Sequence, residues 1–449
     1  MDRLGVGDVR TAARGARLVE QIVATGSLVL RRVGGDRAGE MGAQRYLSSP
    51  YVTPQIIVEA FAARTAESCA GRRVVAAQDT TEVNFSGRST RPKGLGPGGD
   101  GVSAGFFIHP VVAVDAQGGA VLGLVDAQIW TRAQTPAAHR NTRAFEEKES
   151  RRWLAGAQAA GEVLKAAAQV VAVSDQEGDV YSCFARRPSN VELLVRARHD
   201  RKLEGDETAY LFERLADQPA LCVREVRVAP RGPGDRGRVA KVELRSLTAR
   251  VRRPARGELC DAESLELGLV ESREIDPPAG VKPLHWRLVT TLPVDGEDAA
   301  GEIVELYRMR WRIEEVFRTL KSDGLRLEDS QAKDADRLFR IAALGLGAAV
   351  RLIQLVDARD GGDRPMSDVL DAELLPAAAA LGRTRERSTA RQQNPHPEGS
   401  LAWLAWIVAR YGGWNCYGKP PGPKTMAIGW QVFAANLAGY LTALADADP

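Results

Sequence analysis

The sequence predicts an α/β protein: a strand-and-helix core, interrupted by a β-rich insertion and flanked by helical regions at both ends. Three observations predict it. Short apolar runs, Val74-Val75-Ala76-Ala77 and Val170-Val171-Ala172-Val173, read as buried strands with a helix-length segment between them. Residues 200–285 are rich in Arg, Pro and Val and alternate in the strand manner, as in Val226-Arg227-Val228 and Val242-Glu243-Leu244-Arg245. Both ends of the chain carry apolar residues at helical spacing.

In order, residues 1–70 read as a helical N-terminal domain. Leu18, Ile22 and Val23 share one helix face, and Ile56, Ile57, Ala60 and Phe61 another. Arg31-Arg32-Val33-Gly34-Gly35 reads as a loop between them, and Pro50 and Pro54 as breaks. Residues 71–199 read as the first part of the core. Its first apolar strand ends at Asp79-Thr80-Thr81, and a Gly-rich loop follows at Gly94 to Gly101. Strands at Phe106–Val114 and Ala120–Trp130 complete an expected meander. A charged helix is expected from Arg143 to Ala168, then the apolar strand that ends at Asp175. Residues 200–285 form the insertion. Residues 286–357 return to the core, with a helix expected over Ala300–Lys321 and a strongly apolar one over Ala335–Val356. Residues 358–449 read as a partly mobile linker around a short helix, then two more helices.

Composition excludes several classes. No apolar run reaches the roughly twenty residues of a membrane span, and Met1 to Arg10 carries no signal-peptide pattern. The five cysteines lie far apart, with no C-x-x-C pair, so no zinc site or disulfide framework is expected and a reducing cytoplasm fits best. Lys93 to Gly101 lacks the G-K-[ST] ending of a phosphate-binding loop, so ATP use is not indicated. His109 sits in an apolar strand and reads as a core residue rather than a ligand.

Net charge is only +3, so any nucleic-acid surface must come from the distribution of charge. Between Arg224 and Arg256 stand eleven Arg or Lys and three acids. This is either a solvated face or a surface that tracks phosphates.

Candidate chemistry lies with three acids. Asp79 and Asp175 each sit where an apolar strand gives out, a common place for ligands. Alone, each reads sooner as a turn former or helix cap. The third is chosen by helical phase. With Tyr307 at zero and about 100° per residue, Arg310, Glu314 and Lys321 fall within roughly 60° of it. Leu306, Met309, Ile313, Phe317 and Leu320 form the neighbouring apolar stripe. Glu315 points about 80° to the other side, so Glu314 is preferred. Glu314 and Arg318 at i, i+4 would equally make an ordinary surface ion pair.

These residues resemble the bacterial DDE transposases of insertion-sequence family four. Asp79-Thr80-Thr81 looks like the first catalytic block. Asp175-Gln176-Glu177-Gly178-Asp179 looks like the second, usually D-R-E-A-D, with Gln176 in place of Arg and Gly178 in place of Ala. Tyr307-x2-Arg310-x3-Glu314-x6-Lys321 matches the Y-R-E-K signature with its full spacing. Glu147-Lys148-Glu149-Ser150 with Trp153, Trp286, and Gly412-Gly413-Trp414 extend the likeness over most of the chain.

The resemblance implies an RNase H-like catalytic core in which Asp79, Asp175 and Glu314 hold two Mg²⁺ or Mn²⁺ ions. It implies that Tyr307, Arg310 and Lys321 contact phosphates near the scissile bond and that Trp286 stacks on a flipped base, with plain core filling as the alternative. Arg196, and with it Arg198 and Arg318, would contact DNA. The N-terminal helices would bind terminal inverted repeats of double-stranded DNA, and the C-terminal helices would support a homodimer that also takes target DNA. It implies cut-and-paste transposition in the bacterial cytoplasm at the nucleoid, a hairpin intermediate being one route. A metal-dependent nuclease without strand transfer, or an end-binding repressor with a decayed site, are the alternatives. Against the family pattern the sequence begins abruptly before Gly7-Asp8, and a few N-terminal residues typical of the family are expected to be missing.

Overall fold

The apolar periodicity near the N-terminus forms helices in the computed structural model, which describes residues 9–85, 91–133, 143–205, 208–228, 237–255, 257–322 and 324–447. They are α1 (Val9–Thr25), α2 (Leu30–Gly34), α3 (Arg37–Leu47) and α4 (Pro54–Ser68). The stretch read as a loop is mostly the short helix α2. Its turn into α3 is so tight that a Cβ on Gly39 would lie 2.1 Å from the Gly34 carbonyl oxygen. Pro54 starts a helix rather than breaking one, because a first-turn residue needs no N–H partner. Thr53 caps α4 by accepting the Ile56 N–H at 3.2 Å.

The strands that follow are β1 (Arg73–Gln78), β2 (Thr81–Asn84), β3 (Gly96–Pro97), β4 (Ala104–Asp115) and β5 (Val121–Trp130). Then come α5 (Arg151–Val163), β6 (Gln169–Ser174), α6 (Tyr181–Ala185), β7 (Val191–Arg196) and α7 (Leu211–Ala216). The helix expected from Arg143 is shorter. Phe145–Glu147 makes a separate 3-10 turn that buries Phe145. Next are β8 (Cys222–Val228), β9 (Arg238–Arg252), β10 (Ser264–Ile275) and β11 (His285–Thr290). The helices α8 (Gly296–Arg308), α9 (Arg312–Lys321), α10 (Ala335–Ala358), α11 (Leu375–Arg383), α12 (Leu401–Tyr411) and α13 (Pro423–Ala447) finish the chain. The single helix expected over Ala300–Lys321 is two, because Met309–Trp311 tightens into a 3-10 turn.

Two compact units divide these elements. One comprises Met1–Arg72, Thr80–Pro136 and Arg312–Pro449; the other comprises Arg73–Asp79 and Ala137–Trp311.

In the first unit, β2, β4 and β5 pair antiparallel and β3 pairs with β4. Its core helix is α10. By length and composition α10 could cross a membrane, but 83% of its most apolar window is buried within the protein. Burying each Leu or Ile there contributes about 1.5–3 kcal/mol. Small residues let the neighbours close in: a Cβ on Gly347 would lie 2.0 Å from the Phe61 ring of α4. Gln354 of α10 donates to the Leu122 carbonyl of β5 at 2.7 Å. The 358–400 stretch carries α11 and three 3-10 turns. It is anchored by buried Arg364, which pairs with Asp368 at 2.7 Å and donates to the Val121 carbonyl at 2.7 Å.

In the second unit a mixed sheet runs β1-β6-β7-β11-β10-β9-β8. The first three strands are parallel and the rest pair antiparallel. The β-rich stretch therefore extends the sheet outward from β11.

Candidate active site

The site begins with sheet register. β1 and β6 are parallel, pairing Arg73 with Gln169 through Ala77 with Val173. Two residues beyond the last pair on each strand stand Asp79 and Asp175. Each acid directly follows the last residue of its strand, so the parallel pairing carries both to the same end of two neighbouring strands. Val74 to Gln78 and Val170 to Ser174 are buried, and the acids that follow are partly exposed, the Asp79 side chain at 17%. The apolar runs thus drive the strands inward and leave the carboxylates at the rim.

Each carboxylate has a protein partner. Asp175 caps the 3-10 turn Gln176–Gly178, accepting the Glu177 N–H at 2.8 Å. The cap reading of Asp175 is correct as far as it goes. A carboxylate offers about four acceptor positions, so capping does not exhaust it. Asp79 accepts from Arg310 Nη1 at 2.5 Å, both side chains being largely buried.

Around this pair the second unit gathers further residues named from sequence. Tyr307, at the end of α8, is only 6% exposed. Burial pushes its phenol pKa up, Asp175 adds to the rise, and Arg310 and Arg196 oppose it. The phenol therefore stays protonated at neutral pH. Trp286 of β11 is half-buried and meets the Tyr307 ring edge-on at 5.2 Å. Arg196 ends β7 and is exposed, as is Arg198.

The remaining named residues lie on α9, in the first unit. Glu314 is half-exposed and Arg318 exposed. Glu315 is engaged by Arg312, which also bonds Asp357. Lys321 Nζ donates to the Glu82 carbonyl at 2.6 Å and lies 3.6 Å from Glu328. Among the described residues, no group of three or more His, Cys, Asp or Glu side chains is arranged to hold a metal ion.

Several contributors escaped the sequence reading. β2 was not foreseen; Glu82 on it is cradled by the Gly-rich loop. Gly99 N–H donates to Glu82 Oε2 at 3.0 Å, and a Cβ on Gly98 would lie 2.1 Å from Oε1. That loop cradles a carboxylate of its own chain. Fully buried His109 bonds Thr80 Oγ1 through Nδ1 at 2.9 Å, beside Asp79 in sequence. Gly178 is also explained: a Cβ there would sit 2.1 Å from Ser174 Oγ.

The basic run does not present a bare positive stripe. Arg224 pairs with Glu297 at 3.3 Å, Arg245 with Glu243 at 2.7 Å and Arg250 with Glu204 at 2.5 Å. Arg238 pairs with buried Glu274. These four cations are thus engaged in ion pairs, three with acids outside the run and Arg245 with Glu243 two residues away. Residues 229–236 and Arg256 of that run lie outside the described residues.

The family described as "Transposase DDE domain" matches residues 73–350, well over half of the chain. The chain belongs to the transposase DDE-domain family. The match opens on β1, which carries Asp79 at its end, and closes within α10, so it spans Asp79, Asp175 and Glu314. Membership implies an RNase H-like fold and an enzyme of DNA cleavage and transposition. DDE transposase domains generally use divalent metal ions. The strand-end carboxylates suit that chemistry, being the hard oxygen donors that Mg²⁺ and Mn²⁺ prefer.

Proposed function

We propose that this DDE transposase belongs to insertion-sequence family four and moves a DNA element by cut-and-paste transposition. The observation that carries the reading is the shared register of Asp79 and Asp175, with Arg310 and Tyr307 of the Y-R-E-K row beside them. Asp79, Asp175 and Glu314 are assigned to two Mg²⁺ or Mn²⁺ ions, Glu314 on the motif match alone. When bound, such ions acidify water and neutralise charge on a phosphoryl group.

The chain's own groups bind and orient. Protonated Tyr307 can donate a hydrogen bond to a phosphate oxygen. Arg310, already paired with Asp79, can hold a neighbouring phosphate with its remaining N–H groups. Arg196, Arg198, Arg318 and Lys321 supply further phosphate contacts, which fix register without reading sequence. The half-buried Trp286 offers a stacking face to a base moved out of the duplex, as a hairpin route requires. The helical N-terminal domain is assigned to terminal inverted repeats and the C-terminal helices to a homodimer acting at the nucleoid.

The test is the purified full chain with the inverted repeats that flank its gene, Mg²⁺ and a target plasmid. Nicking at the repeat ends and joined products are expected. Cuts without joined products would mean a nuclease. Full cleavage by Glu314→Ala would overturn the assignment of the third acid.

A further inference from the structure

Asp179 closes the second acidic block, and the metal-site reading gives it no work. Its side chain is 0% exposed. A buried carboxylate is costly unless well partnered, and this one takes its partners from a single stretch of chain. Oδ2 accepts the backbone N–H groups of Arg198 at 2.7 Å and His199 at 2.8 Å. Oδ1 pairs with Arg201, itself 4% exposed, whose guanidinium lies 5.6 Å from the Phe184 ring centre. Arg201 is thus committed to the interior, whereas Arg196 and Arg198 are exposed.

The block joins two places that both matter to DNA. Asp175 caps the turn Gln176–Gly178, and Asp179 directly follows that turn. Through Asp179 the same turn grips the backbone just after β7, where Arg196 ends the strand. Charge-assisted hydrogen bonds of this kind are among the strongest a protein makes.

Resting on the transposase reading above, we propose that Asp179 is a positioning residue for DNA binding. It holds residues 196–199 so that Arg196 and Arg198 meet a phosphate backbone beside Asp175. Asn at this position can still accept the two N–H groups through its amide oxygen, but it turns an NH2 toward the Arg201 guanidinium, so the buried pair is lost and the turn relaxes. The cations stay in the protein but no longer stand in register with phosphates.

The experiment measures binding of the full chain to a fluorescein-labelled DNA duplex of arbitrary sequence, across a salt series. Asp179→Asn, Arg201→Met and the Arg196→Ala/Arg198→Ala double variant are compared with the parent. Asp179→Asn and Arg201→Met should each weaken binding roughly tenfold and lower the salt slope by about one to two, as the double variant does. Adding Asp179→Asn to the double variant should cost little more, because both remove the same contacts. In Mg²⁺-dependent nicking the loss should fall on KM for DNA more than on kcat. Arg201→Lys should recover part of it.

The proposal is overturned if Asp179→Asn keeps parental affinity and salt slope. It is equally overturned if its loss adds in full to that of the double variant, as general loosening would give. Should Asp179→Asn not fold, Arg201→Met decides by the same criteria. If the double variant itself binds like the parent, the DNA-contact assignment is what fails, and the proposal falls with it.

Discussion

The two strand-end aspartates make an instructive pair. Asp79 and Asp175 follow equivalent apolar runs and reach the same register, yet different bonds fix them. Asp175 is held locally, by the N–H two residues on, in a turn whose tightness depends on Gly178. Asp79 is held from afar, by Arg310 at the other end of the second unit's sequence. Two strand-end carboxylates are thus held once by a neighbouring turn and once by a residue more than two hundred positions away.

Asp79→Asn and Asp175→Asn should each lower Mg²⁺-dependent nicking by at least about a thousandfold, as loss of a catalytic group does. Far-ultraviolet circular dichroism should show Asp175→Asn folded, because its amide oxygen can still cap the turn.

Arg310→Met should separate the two acids. It leaves Asp79 largely buried without its cation, costing about 1.5–3 kcal/mol of stability in urea unfolding, and leaves the Asp175 turn unaffected. Equal loosening of both strand ends in hydrogen exchange would contradict the distinction. Gly178→Ala is the local counterpart. Driving a Cβ onto Ser174 Oγ should cost about 1–3 kcal/mol, with protection lost around residues 174–179. Unchanged stability would show that the turn tolerates the Ala usual in this motif.

The smallest effect concerns the sheet beside Trp286. Burial would raise the Glu271 carboxyl, but hydrogen bonds from His285 and Arg287 outweigh it and hold the pKa below the usual range. A depressed carboxyl contributes stability above its unfolded pKa of about 4.3, and that stability is lost as pH falls through the folded value. Glu271→Gln should therefore flatten the acid limb of a melting-temperature profile and change little at pH 7. An unchanged acid limb would contradict the pairing.

What could be read from sequence was local. Apolar runs marked β1 and β6 because burial on both faces leaves no polar alternation, and the polar residue that ends each run marked the acid. Helical phase favoured Glu314 over Glu315. What could not be read depended on distant partners. The 3-10 turn at Met309–Trp311 breaks the phase argument's assumption of one continuous helix. Sequence left the run from Arg224 to Arg256 open between a solvated face and a phosphate surface because three acids that pair with it, Glu204, Glu274 and Glu297, lie outside the run. Register between β1 and β6 is likewise a pairing of remote segments, and motif order alone does not supply it.

The most direct test of the central claim is Mn²⁺ binding to the full chain, followed by electron paramagnetic resonance. If Asp79 and Asp175 share a metal, the parent binds Mn²⁺, and Asp79→Asn, Asp175→Asn and the double variant each lose the same high-affinity site. Parental Mn²⁺ binding by both single variants would contradict the claim.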